Sequence, residues 1–120
     1  MDKRTLVLGA SENTGRYSNK AINNLRTKKI EVFAIGSKKG AVLDVEIGTE
    51  KQLFEDIHTV TMYLNSANQK EYYNYIIQLH PKRVIFNPGA ENLELKRLLE
   101  EQHIETKEDC TLVLLSIGQY

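Results

Sequence analysis

The 120 residues include a single cysteine, Cys110, so no disulfide can form within the chain. A lone thiol suits a reducing compartment, and a cytoplasmic protein is expected. There is no surplus of either charge, because 16 Lys and Arg balance 16 Asp and Glu. A neutral balance argues against nucleic acid as the main partner, since phosphate-backbone binding needs a basic excess. No apolar run approaches the roughly 20 residues that a membrane-spanning helix requires. The charged start Met1-Asp2-Lys3-Arg4 leads into a short strand rather than the apolar core of a secretion signal, so no membrane attachment is expected. The three histidines, His58, His80 and His103, stand at no metal-ligand spacing from each other or from Cys110. They read as helix-end or surface residues, and Cys110 as a small buried one. No Ser-His-Asp or Cys-His set emerges, and no catalytic residue is assigned. Repeats, low-complexity segments and linkers are also missing, so one domain over residues 1–120 is expected.

What is present is an alternation of short apolar runs and helical stripes. Thr5–Leu8 reads as a buried strand ended by Gly9. Ser18–Leu25 follows as a helix with Ser18 as its N-cap and Ala21, Ile22 and Leu25 on one face. Glu31–Ile35 is a second buried strand. Val42–Ile47 alternates, with Leu43, Val45 and Ile47 on one side, and reads as a half-exposed edge strand. Thr49-Glu50-Lys51-Gln52 matches a capping box and predicts a short helix through Leu53 to Asp56. Thr59–Leu64 is another strand. Ser66-Ala67-Asn68-Gln69 is a second capping-box match, opening a helix striped by Tyr72, Tyr75, Ile76 and Leu79 and ended by Pro81. Arg83–Phe86 is a strand closed by Asn87-Pro88-Gly89, after which Asn92 caps a helix with Leu95, Leu98 and Leu99 inward. Leu112–Ile117 is a last apolar segment, readable as a sheet strand or as a tail packed over the crevice. This alternation predicts an α/β fold: a single Rossmann-like, three-layer domain with a mostly parallel sheet. Ligands of such sheets sit beyond the carboxyl ends of the strands, where the strand order reverses. The loops of interest are therefore Gly9–Tyr17, Gly36–Gly40, Asn65–Asn68 and Asn87–Asn92.

The first loop carries anion-binding chemistry. Gly9 permits a tight turn and close approach of a ligand. Free amides at the start of the following helix favour an anion. Ser11 and Ser18 add hydroxyls, and Arg16 adds a fixed charge whose planar group fits phosphate oxygens. The loop is neither a Gly-x-Gly-x-x-Gly nor a Gly-Lys-Ser/Thr phosphate loop, and its residues also fit an ordinary turn. At the second loop, Ile35-Gly36-Ser37-Lys38-Lys39-Gly40, the acid that holds an NAD ribose is missing and two lysines stand instead. Cations there suit a ribose phosphate, and both NADP and coenzyme A carry one.

Gly9-Ala10-Ser11, four residues, then Arg16-Tyr17-Ser18, together with Phe86-Asn87-Pro88-Gly89-Ala90-Glu91-Asn92, resembles the small stand-alone CoA-binding proteins of bacteria. Those are Rossmann domains similar to the CoA-binding domain of the succinyl-CoA synthetase α subunit. The resemblance implies that Gly9, Ala10, Ser11, Arg16 and Tyr17 hold the diphosphate. Ser37 and Lys38 would then lie by the ribose phosphate and adenine. Asn65 and Ser66 would line the crevice, and Gly89, Glu91 and Asn92 would close its other side. The turn at Ile35–Lys38 departs from the Val-Asn-Pro type of many members, and Gly40–His58 shows little similarity. The implied function is non-catalytic binding of coenzyme A or an acyl-CoA, a small-molecule nucleotide cofactor that the protein would sense, carry or lend to an unidentified partner enzyme. Two alternatives stay open: an NADP-dependent reductase with a minimal Rossmann domain, for which no Tyr-x-x-x-Lys pair stands out, and an interaction domain without a ligand.

Overall fold

Six of the seven strands run parallel to one another, because the connections between them are long enough to cross over rather than turn straight back. In the computed structural model, which describes residues 2–120, the strands are β1 (Thr5–Ala10), β2 (Val32–Gly36), β3 (Gly40–Val42), β4 (Val45–Gly48), β5 (Thr59–Met62), β6 (Arg83–Phe86) and β7 (Glu105–Glu108). They form one sheet in the order β3-β4-β2-β1-β5-β6-β7. All neighbours run parallel except the β3–β4 pair. The chain winds outward from β1 through β2 to β4, then returns to the other side of β1 for β5, β6 and β7. The order therefore reverses between β1 and β5, as in a doubly wound nucleotide-binding sheet.

Helices cover both faces of the sheet. On one side α1 (Tyr17–Thr27) and α5 (Thr111–Ser116) bury Ile22, Leu25 and Leu115 against Val7, Val32, Ala34 and Ile47. On the other side α3 (Tyr73–Leu79) and α4 (Leu93–Glu101) bury Tyr75, Ile76, Leu95 and Leu99 against Leu6, Leu8, Val60, Met62 and Phe86. The two-residue alternation of a strand explains why Val7 joins one core while Leu6 and Leu8 join the other. Among the described residues no helix is long and apolar enough to cross a membrane.

Several local expectations give way to tertiary packing. The expected strand Val42–Ile47 is a hairpin. Val42 pairs with Val45, leaving Leu43 and Asp44 as a two-residue turn. Leu43 adopts φ 55° and lies 65% exposed, away from the face that Val45 and Ile47 bury. Arg26 fixes this turn by donating from Nε to Asp44 Oδ1 at 2.8 Å and from Nη2 to Oδ2 at 2.7 Å. That hydrogen-bonded pairing holds the Asp44 carboxyl below, and the Arg26 guanidinium above, their ordinary values.

The helix expected at Leu53–Asp56 is absent. The backbone from Thr49 instead makes two-residue closures, Gln52 N–H to Glu50 O at 2.9 Å and Phe54 N–H to Gln52 O at 3.0 Å. The Tyr75 hydroxyl donates to the Gln52 carbonyl, and Phe54 stacks on Phe33 with ring centroids 4.5 Å apart. A capping box without an apolar stripe behind it has nothing to bury as a helix. The crossover therefore stays extended and leaves part of the β2–β4 surface as an open groove of about 900 Å³.

The helix expected from Ser66 starts one residue earlier in its cap. Asn65, not Ser66, accepts from Asn68 N–H at 2.9 Å. It opens α2 (Ser66–Gln69), then a 3₁₀ turn at Lys70–Tyr72, then α3, which ends at left-handed His80 before Pro81. Strand β5 stops at Met62, so Tyr63 and Leu64 belong to the loop. Leu112–Ser116 falls within helix α5 with Ile117 as its C-cap, and Cys110 is its half-exposed N-cap rather than a core residue. Strand β7 pairs beside β6 although its residues, Glu105 to Glu108, carry no apolar pattern.

Candidate functional site

The loop after β1 is organised by its own polar side chains. Gly9 sits at the bend with φ 91°. Ser11 Oγ accepts from Asn13 N–H at 3.0 Å, Asn13 Oδ1 accepts from Gly15 N–H at 2.9 Å, and Asn13 O accepts from Arg16 N–H at 3.0 Å. Asn19, only 4% exposed on the inner side of α1, donates to Ser11 O at 3.0 Å and ties the loop to the helix. The N-cap of α1 is Arg16, with no side-chain cap bond, so the expected cap at Ser18 is not formed. Ser18 is the second residue of the helix, with its side chain buried at 3% exposure. Lys20 N–H, an amide that a Ser18 cap would take, is already engaged: it and Asn19 N–H both donate to Arg16 O. The amides of Tyr17 and Ser18 find no protein acceptor among the described residues. Such free amides at the start of an eleven-residue helix face outward with the positive end of its dipole.

The end of β2 forms the facing wall. Ser37, Lys38 and Lys39 leave the strand exposed and lead directly into β3. Together the two loops enclose a cleft of about 380 Å³ lined by Ala10, Ser11, Glu12, Asn13, Arg16, Ser37, Lys38 and Lys39. Arg16, Lys38 and Lys39 take part in none of the four ion pairs among the described residues. Three unpaired cations beside free amides and hydroxyls are groups for binding an anion. Of the residues expected from the sequence, Ala10, Ser11, Arg16, Ser37 and Lys38 meet in this cleft, whereas Gly9 is not among its lining and packs closely on Tyr63 and Leu64. Tyr17 stands next to Arg16, 67% exposed, with the Lys20 ammonium 5.4 Å from its ring centre. Glu12 and Asn13 were missed, and only their loop position marks them in the sequence; Lys39 was legible only as the second cation of the β2 loop.

The other expected wall lies at the carboxyl ends of β5 and β6. Asn65 and Ser66 are exposed there, with Asn65 committed to capping α2. Gly89 is exposed with φ 92° and gives its N–H to Glu91 Oε1 at 3.0 Å. Asn92 is buried, caps α4 by accepting from Leu95 N–H at 3.1 Å, and donates to Gln69 Oε1 and Tyr73 Oη at 2.9 Å each. Its side chain holds the wall together instead of facing the crevice. Gln69, fully buried, completes that tie by donating to Leu64 O at 2.8 Å and Ala90 O at 2.7 Å. None of the five residues expected on this wall, Asn65, Ser66, Gly89, Glu91 and Asn92, lines the cleft formed by the first two loops. Tyr63, at the end of β5, is held neutral, because burial pushes its hydroxyl up to about 12.

The reversal of strand order and the cleft at the carboxyl ends of β1 and β2 define a Rossmann-like α/β domain. Residues 3–116 match the sequence profile of the family described as a CoA binding domain, and the chain belongs to that family. A crystal structure of an uncharacterised protein, 48% identical, superposes with a TM-score of 0.97 over 100% of this chain and 99% of that one. A Thermus thermophilus protein, 18% identical, matches with a TM-score of 0.88 over 99% of this chain and 91% of that one. A hypothetical protein from Pyrococcus horikoshii, 21% identical, matches with a TM-score of 0.83 over 93% and 80% respectively. These last two share the fold. No curated protein matches the sequence.

Proposed function

We propose that the protein binds coenzyme A, free or acylated, without transforming it, and that residues 1–120 act as one binding unit. The observation that carries this reading is the set of unpaired cations, Arg16, Lys38 and Lys39, around a cleft bordered by the start of α1. The diphosphate would take the backbone of Gly9, Ala10 and Ser11, the amides of Tyr17 and Ser18, and the Arg16 guanidinium. A ribose phosphate would take Ser37, Lys38 and Lys39. Asn65, Ser66, Gly89 and Glu91 would face the remaining arm of the ligand, with Asn92 and Gln69 keeping that wall in place. Membership of the CoA binding domain family supports the choice of nucleotide. A bound cofactor of this kind is offered to a partner enzyme in the cytoplasm, where the lone thiol of Cys110 stays reduced.

Replacing Arg16 with Ala tests the site. Loss of a charge-assisted hydrogen bond to phosphate should weaken coenzyme A binding by about 1.5–3 kcal/mol. Isothermal titration calorimetry reads this directly. Equal affinities for the two proteins would remove Arg16 from the site, and binding of NADP in place of coenzyme A would overturn the choice of ligand.

A further inference from the structure

We propose that Glu12 is a specificity-determining residue that accepts a hydrogen bond from the free ribose hydroxyl of the bound nucleotide. The inference rests on the coenzyme A reading and deepens it. The sequence has no acid at the end of β2, where a dinucleotide-binding sheet usually places its ribose acceptor. The fold supplies one from the opposite loop. Glu12 lines the cleft with Arg16, Ser37, Lys38 and Lys39, and its Oε2 accepts from Ala41 N–H at 2.9 Å.

The carboxylate has a prepared seat. A Cβ on Gly40 would lie 2.4 Å from Glu12 Cδ and 2.7 Å from Cγ, so only glycine leaves room for this side chain at the start of β3. Glu12 is not there to neutralise the cations around it, because it makes no ion pair with Arg16, Lys38 or Lys39. Its other oxygen, Oε1, has no hydrogen-bond donor among the described residues. A fixed carboxylate with one oxygen free is an acceptor for a ligand donor. The ribose of coenzyme A carries one phosphate and one hydroxyl on adjacent carbons. The cleft offers two neighbouring ammonium groups and one acceptor, which matches that pair.

The test is calorimetric titration of adenosine 3′,5′-bisphosphate and its 2′-deoxy analogue into wild type, Glu12→Gln and Gly40→Ala. The Gln side chain keeps an oxygen for Ala41 N–H but turns a donor toward the cleft, so the hairpin is held while the acceptor is lost. Gly40→Ala displaces the carboxylate without altering it. Removing the Glu12 charge also eases binding of any anion, so the informative quantity is the ratio of the two affinities within each protein, in which that effect cancels. Wild type should prefer the hydroxylated ligand by about tenfold, the value of one hydrogen bond to a charged acceptor. Both variants should show a ratio near one. A wild type indifferent to the hydroxyl, or a preference that survives in Glu12→Gln, overturns the role of Glu12. In Glu12→Gln, which is designed to keep the bond to Ala41, a preference lost together with the amide-exchange protection of Ala41 reduces Glu12 to a strut and overturns it too. Failure of wild type to bind either nucleotide overturns the coenzyme A reading and the inference with it.

Discussion

Replacing Gly36 with Ala probes the point where fold and site meet. Strands β1 and β2 pair residue for residue from Thr5 with Val32 to Leu8 with Ile35, and the register then skips Gly9 so that Ala10 faces Gly36. A Cβ on Gly36 would lie 2.3 Å from the Ala10 carbonyl oxygen and 3.1 Å from Ile47 Cγ2. Ordinary carbon–oxygen contacts lie near 3.3–3.6 Å, so the strands must part by about 1 Å. The obstructing atom is backbone on the central strand and cannot rotate away. Overpacking of this kind costs about 1–3 kcal/mol, and the upper value is expected where backbone meets backbone. For a chain of this length about 3 kcal/mol corresponds to a fall of roughly 12 °C in Tm. Thermal unfolding followed by circular dichroism measures it. Gly48→Ala is the control, because no atom lies within 4 Å of its would-be Cβ; it should change stability by less than about 0.5 kcal/mol. Because Ala10 lines the cleft, Gly36→Ala should also weaken coenzyme A binding at temperatures where the variant is fully folded. A Gly36→Ala protein melting within about 2 °C of wild type would refute the argument that this contact fixes the start of the ligand loop.

Asn92→Ala should cost about 2–3 kcal/mol in urea unfolding, since it removes the α4 cap and leaves the buried Gln69 carbonyl without its donor; a loss under about 1 kcal/mol would contradict the structural role assigned to it. His58 has its pKa lowered, first by burial and then by the nearby charges of Arg83, Lys3 and Lys82. The unfolded chain thus binds this proton more readily than the folded one, so stability should fall as pH drops below the ordinary histidine value near 6.5. His58→Gln should flatten the Tm against pH over that window, and an unchanged slope would exclude His58 as its source.

Much of the central sheet is visible in the sequence because its strands are buried on both faces and read as apolar runs. Thr5–Leu8 and Arg83–Phe86 fall inside β1 and β6 for that reason. Asn92 was equally legible, as a capping side chain one residue before a stripe of leucines. Edge elements were not. Strand β7 is held to β6 through backbone pairing alone, and its charged side chains suit an exposed edge that must not recruit another strand. The β3–β4 turn uses Leu43 at positive φ, where a glycine or asparagine signal would be expected. Adjacent polar residues, Asn65 and Ser66, competed for one cap, and the asparagine took it. In the site, Arg16 and Lys38 could be read from loop chemistry. Glu12 could not, because its placement depends on a hairpin approaching from 29 residues away in the chain.

The most direct test of the central claim is calorimetric titration of wild-type protein with coenzyme A and with dephospho-coenzyme A, repeated on Lys38→Ala. Binding of coenzyme A that weakens when the ribose phosphate is missing, with most of that difference abolished in Lys38→Ala, is the expected result. Absence of binding, or equal affinity for the two ligands in both proteins, would contradict the account.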